Sequence, residues 1–198
     1  EALQLHPLTH HASRLVEATD LSVCYGGAPV FEGVCFSVAP GDRVCLQGRN
    51  GCGKSSILKL TLGQPIPHTG VLTLASGVVC SYVSQDTSFL GGGLSNIARG
   101  ADIDETLFYA ILRKLGFARV QFEKQAEDLS EGQKKKVLLA RSLCQRAHLY
   151  VWDEPLNFVD VLSREQIELL LAEYRPTMLF VEHDSRFAQA IATKFVQL

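Results

Sequence analysis

The chain lacks an excess of either charge, any long apolar run, any closely spaced cysteine pair and any recognisable export signal. Nineteen Lys plus Arg stand against 21 Asp plus Glu in 198 residues, a formal net charge of −2. That balance excludes a globally basic nucleic-acid binder and leaves room only for a local basic patch. No stretch of about 18 consecutive apolar residues occurs, so no segment reads as a membrane-spanning helix. Six cysteines, at positions 24, 35, 45, 52, 80 and 144, include no C-x-x-C pair, which excludes the common zinc and redox motifs. They read as reduced thiols of a cytoplasmic protein, most of them acting as small core hydrophobes. Residues 1–13 (EALQLHPLTHHAS) carry neither an initiator Met nor the charged, apolar and small-residue regions of a signal peptide. They read as a frayed linker remnant of something longer, with a metal site at His6, His10 and His11 as the less favoured alternative.

What is present describes one globular domain. Hydrophobic residues make up 46% and charged residues 20%, too apolar for a disordered chain. At about 150 residues per domain, the length predicts a single folded unit over 14–198. Loose alternation and β-branched residues predict strands over 15–25 and 30–38, with Gly26-Gly27 turning between them. Pro40-Gly41-Asp42 is a second turn, before a strand at 43–47. A short helix over 54–62 stops at Gly63 and Pro65, and two strands follow near 71–75 and 78–83. Helical spacing then predicts helices over 104–116, 131–146, 163–174 and 185–192, with strands at 149–152, 177–181 and 194–198. An antiparallel start followed by alternating β and α predicts an α/β fold whose mixed sheet has a parallel core.

Residues 48–55 read Gly48-Arg49-Asn50-Gly51-Cys52-Gly53-Lys54-Ser55, followed by Ser56. This is the G-x-x-x-x-G-K-[ST] phosphate loop, in its required place between a strand and a helix. Backbone N–H groups would wrap the phosphates at a helix N-terminus, Lys54 would neutralise them, and Ser55 would ligate Mg²⁺. Such a site needs an acid at the end of a buried strand. Leu149-Tyr150-Val151-Trp152-Asp153-Glu154 supplies Asp153 for the metal and Glu154 as a general base.

Leu129-Ser130-Glu131-Gly132-Gln133, opening the helix at 131, resembles the L-S-G-G-Q signature of the ATP-binding-cassette (ABC) superfamily. That resemblance covers residues 14–198 and implies further roles. Tyr25 would stack on adenine, Gln85 would sense Mg²⁺ and the attacking water, Asp160 would form the loop after the acidic strand, and His183 would contact the γ-phosphate. It also implies an antiparallel β subdomain, a small helical subdomain at about 86–135, and a signature that serves the nucleotide of a second cassette. Asn157 in Asp153-Glu154-Pro155-Leu156-Asn157, together with Val181-Glu182-His183-Asp184 and Lys134-Lys135-Lys136, resembles the second cassette of antibiotic-resistance ABC-F proteins, notably the lincosamide, streptogramin A and pleuromutilin group. This implies a ribosome partner in the full-length protein, and the basic helix 134–146 reads either as a solvated face or as a contact to ribosomal RNA. The ATPase subunit of a membrane transporter is the alternative, and a catalytically silent nucleotide-binding module a third reading. Glu131 departs from the superfamily pattern: either its side chain points away from the partner's nucleotide, or that composite site is tuned for slow turnover.

Overall fold

In a computed structural model, residues 3–198 are described. The chain runs β1 (Val16–Cys24), β2 (Pro29–Val38), β3 (Arg43–Gln47), α1 (Lys54–Thr61), β4 (His68–Leu74), β5 (Cys80–Val83), α2 (Leu94–Gly100), α3 (Glu105–Lys114), α4 (Glu131–Cys144), β6 (Leu149–Asp153), α5 (Val161–Tyr174), β7 (Met178–Val181), α6 (Ser185–Ile191) and β8 (Lys194–Gln197). The mixed β content divides into two sheets. One is antiparallel, in the order β2-β1-β4. The other is wholly parallel, in the order β5-β6-β7-β3-β8.

The parallel sheet separates two cores, and strand periodicity decides which residue joins which. Tyr150, Trp152, Met178, Phe180 and Cys45 face the helices, packing with Phe108, Ile111, Leu138 and Ile167. Their neighbours Leu149, Val151, Leu179, Val181, Val44 and Leu46 face the other way, onto α1 and the antiparallel sheet. Every residue of β6 and β7 is buried, which explains why these strands read as continuous apolar runs without alternation.

Sequence pattern did not reveal α2. Its Gly93 N-cap makes no side-chain bond, its first turn has no acid, and it buries only Leu94 and Ala98. The strand expected near 71–75 begins earlier, at His68, and five of the six residues of β4 before Leu74 have exposed side chains, so it carries little apolar signal.

Two expectations are corrected. Residues 3–13 form no helix or strand, yet they are not frayed. Leu5 is buried in the helix-side core with Leu3 packed beside it, the Leu8 N–H donates to the Ala147 carbonyl at 2.8 Å, and the His10 ring meets His148 edge-on at 5.1 Å. Two apolar anchors and a backbone bond hold this strap down. Residues 1 and 2 of the expected remnant lie outside the described residues. Among the described residues no cluster of three or more His, Cys, Asp or Glu could hold a metal, so the three histidines do not form one.

The basic helix is also not a freely solvated face. Lys134 pairs with Glu131 at 3.4 Å and Lys136 with Asp160 at 2.6 Å. Lys135 is buried, and the half-buried Arg141 lies over the Phe89 ring at 5.7 Å. Of the five cations counted on that stretch, Arg146 is the exposed one.

A buried polar chain ties α4 to the sheet: Trp152 Nε1–H donates to Ser142 Oγ at 2.9 Å, and that hydroxyl meets Ser81 Oγ at 2.6 Å. Ser142→Ala leaves the indole N–H without its acceptor and should cost about 1–3 kcal/mol of stability. Denaturant unfolding followed by emission of this single Trp measures the loss directly.

Candidate nucleotide-binding site

β3, paired on both sides, delivers the chain into the loop 48–53 at the C-terminal end of the parallel strands, and α1 leads away from it. The loop closes on Gly53, which caps α1 in the left-handed region at φ 89°. A Cβ there would lie 2.7 Å from the Phe31 ring, so no other residue fits. Lys54 is nearly buried, and its ammonium donates to the Gly48 and Arg49 carbonyls at 2.9 Å each, with Cys52 Sγ at 3.8 Å. The cation is thus folded into its own loop, ready to exchange those carbonyls for anionic oxygens.

Asp153 ends β6 and is 2% exposed. Its Oδ1 has no hydrogen-bond partner, and the Ser55 hydroxyl lies against the same carboxyl group. Burial pushes the Asp153 pKa up, and the Ser55 contact offsets only part of that. An orphaned buried carboxylate oxygen beside a hydroxyl is a set of hard oxygen donors suited to a Mg²⁺-type cation.

Glu154 follows in a left-handed conformation, φ 46°, fixed by its N–H donating to the Val181 carbonyl at 3.0 Å. His183 Nε2–H donates to Oε1 at 3.0 Å and the Asn157 amide to Oε2 at 2.7 Å, and the Gln85 side chain lies beside the same carboxyl group in the cleft. Partial burial works against ionisation, but these three side chains prevail and hold the carboxyl below the usual glutamate value. Glu182 positions both flanking loops: Oε1 accepts the His183 and Asp184 N–H groups at 2.8 and 3.1 Å, and Oε2 accepts Leu156 N–H at 3.1 Å.

These groups open onto a cleft of about 570 Å³, lined by Tyr25, Val30, Asn50, Gly51, Gly53, Lys54, Ser55, Ser56, Gln85, Glu154 and His183. Tyr25 is 56% exposed, with its hydroxyl tethered to Ser56 Oγ at 2.6 Å, so its ring face is open for stacking. Gly48, Arg49 and Cys52 shape the loop behind this wall. Sequence reasoning missed Val30, Glu182 and the contact role of Asn157; the Glu182-His183 adjacency after a buried strand was the available signal.

Leu129–Gln133 and Asp160 do not line the cleft. Ser130 caps α4 reciprocally with Gln133, by bonds of 3.3 and 3.0 Å. A Cβ at Gly132 would sit 2.3 Å from the Phe158 carbonyl oxygen, so the signature turn and the loop before α5 are pressed together. Asp160 caps α5 through Ser163. Partial burial opposes its charge, but the bonds from Lys136 and Ser163 win and hold it well below the usual aspartate range. Glu131 turns back onto its own chain, accepting from Thr87 Oγ1 at 2.5 Å and pairing with Lys134.

A phosphate loop on a parallel sheet, with an acid pair and a histidine at neighbouring strand ends, defines a P-loop nucleoside triphosphatase. The ABC transporter family model matches residues 31–157, and the chain belongs to that family as an ATPase domain. Among curated proteins it is 32% identical to the ATP-binding protein Uup of Caulobacter vibrioides, covering 93% of this chain and 32% of that protein. It is 30% identical to the putative ATP-binding protein YdiF of Bacillus subtilis, covering 94% and 30%, and 28% identical to the ribosome protection protein VmlR of Bacillus subtilis, covering 89% and 32%. The chain therefore spans about a third of the length of these relatives. Among the described residues no helix is long and apolar enough to cross a membrane.

Because hydrogen bonds to its charged form depress Glu154, Asn157→Ala should raise its pKa while leaving the fold intact. A carboxyl ¹³C NMR titration reads the shift, and an unchanged or lower value would count against the geometry.

Proposed function

We propose that this chain is one cassette of an ABC-F protein, and that it hydrolyses ATP when the signature of a second cassette closes over its cleft. The observation that carries this reading is the separation of parts. Lys54, Ser55, Glu154, Gln85 and His183 converge on the cleft, with Asp153 buried behind Ser55, whereas Ser130, Gly132 and Gln133 stand off it beside an exposed apolar patch of Phe158, Val161 and Leu162. A signature that cannot reach its own chain's phosphates is of use to another's.

In this reading Tyr25 stacks on adenine, with Asn50, Gly51, Gly53 and Ser56 shaping the phosphate end of the cleft. The N–H groups of the loop 48–55 and the Lys54 ammonium take the β- and γ-phosphates. Ser55 and Asp153, with Gln85 at the rim, would hold Mg²⁺, which supplies positive charge against the phosphate oxygens. Gln85 orients a water, and Glu154, kept ionised by His183 and Asn157, accepts its proton as the water oxygen bonds to the γ-phosphorus. The bond to the β–γ bridging oxygen breaks, leaving ADP and phosphate. His183 remains hydrogen-bonded at this centre and steadies the γ-phosphate. Asp160, at the start of α5, belongs to the surface that meets the partner. Binding ATP favours the closed pair and hydrolysis releases it.

The similarity to a protein named for ribosome protection, together with the Asn157-bearing sequence after the acid pair, supports a cytoplasmic protein whose full-length form acts on the ribosome, with antibiotic resistance by target protection as the finer reading. Because four of the five cations along α4 and its end are engaged internally or packed on an aromatic ring, a ribosome contact through that helix is not part of this proposal.

Two measurements test it. Glu154→Gln in the full-length protein should bind ATP like wild type, hydrolyse it at least about a hundredfold more slowly, and co-sediment with ribosomes in Mg-ATP; wild-type turnover would remove Glu154 as the base, and co-purification with a membrane protein instead of ribosomes would favour the transporter reading. ATPase per molecule of this chain alone should rise with its concentration as copies pair, whereas a flat trace near zero would favour a silent module.

A further inference from the structure

Lys135 sits in the second turn of α4, 1% exposed, and the reaction proposed above gives it no part. Taking an ammonium out of water is costly unless its protons find partners. Among the described residues it forms no ion pair. Its Nζ donates instead to two backbone carbonyls of a loop with no secondary structure, Ser84 at 2.8 Å and Gln85 at 3.2 Å. Burial lowers its pKa, while the nearby carboxylates of Asp153, Glu154, Glu182 and Glu131 favour the charged form.

The loop 84–87 leaves the sheet after Val83, beyond the last ladder bond of β5 with β6. Nothing in a strand or helix fixes the backbone of Gln85, yet its side chain shares the cleft wall with Glu154. α4 supplies the fixation twice: Lys135 to the carbonyls at 84 and 85, and Glu131 to the hydroxyl of Thr87. Both come from the first two turns of the helix that Ser130 caps. A methionine at 135 would fill about the same volume at lower desolvation cost but would leave the Ser84 and Gln85 carbonyls without these donors.

We infer that Lys135 is a positioning residue for Gln85, holding the Gln85 backbone so that its side chain stays beside Glu154 in the cleft, and that with the Glu131–Thr87 bond it fastens this loop to the signature turn. This rests on the reading that Gln85 and Glu154 act in hydrolysis. Lys135 does not line the cleft; its effect passes through Gln85.

The test is a double-mutant cycle in the full-length protein, using kcat, KM and binding of a fluorescent ATP analogue. Lys135→Met should lower kcat about tenfold, as a small misplacement of a reacting group does, with KM and analogue binding within about threefold. Gln85→Ala should lower kcat comparably, and adding Lys135→Met to it should cause no further loss. Multiplying losses would mean that Lys135 acts independently of Gln85 and would overturn the inference. A Gln85→Ala enzyme with wild-type kcat would overturn the hydrolytic role of Gln85 itself, a distinct failure. Lys135→Gln keeps an N–H donor in the same space; it should retain more activity than Lys135→Met and carries the same cycle if the methionine variant does not fold. Thr87→Val, which removes the second tether alone, should give a smaller fall in kcat of the same kind; a larger fall than that of Lys135→Met would assign the positioning to Glu131 instead.

Discussion

Asp153 stands opposite Val181 in the parallel pairing of β6 with β7, and the site depends on this register. With the two strand ends level, Asp153 and Glu154 leave one strand where Glu182 and His183 leave the other, and the Glu154 N–H closes the gap onto the Val181 carbonyl. A slip of one residue would turn every side chain of β6 to the opposite face. Trp152 and Tyr150 would then enter the core that receives Leu149 and Val151, which has no space for them. The same packing that sorts large and small side chains between the two cores therefore sets where the carboxylates emerge.

Beyond the strand ends, buried and half-buried polar side chains do the positioning. Glu182 holds the segment at His183 and Asp184 and the one after Glu154 with three bonds from backbone N–H groups. Arg164 reaches from α5 to the Val159 and Leu156 carbonyls and to Asp184. Lys135 does the same for the loop carrying Gln85. In each case one long side chain satisfies backbone groups that lie outside any ladder, so the loops around the cleft are fixed while the residues they present remain accessible.

This division explains what could be read from sequence. The phosphate loop was legible because its glycines and Lys54 are constrained within eight consecutive positions, and β6 and β7 because complete burial leaves an unbroken apolar run. The capping pair Ser130 and Gln133 announced the start of α4. Lys135 looked like one member of a basic run, since its burial is decided by a loop fifty residues earlier in the chain. Glu182 read only as the neighbour of His183. α2 has neither cap nor stripe, and the strap over 3–13 is held by Leu5 and a single backbone bond to a distant turn, neither of which has a local signature. The side chains that line the cleft were visible, and those that hold the loops around it were not.

The strap joins the body at Ala147 and His148, immediately before β6 begins, and the acid pair lies at the other end of that strand. Tension entering through the N-terminal segment would thus load β6 along its axis. β6 is flanked by β5 and β7 in parallel register, so such a load would have to shear both ladders together rather than peel them one bond at a time. The strand that carries Asp153 thus runs directly from the strap's contact to the cleft.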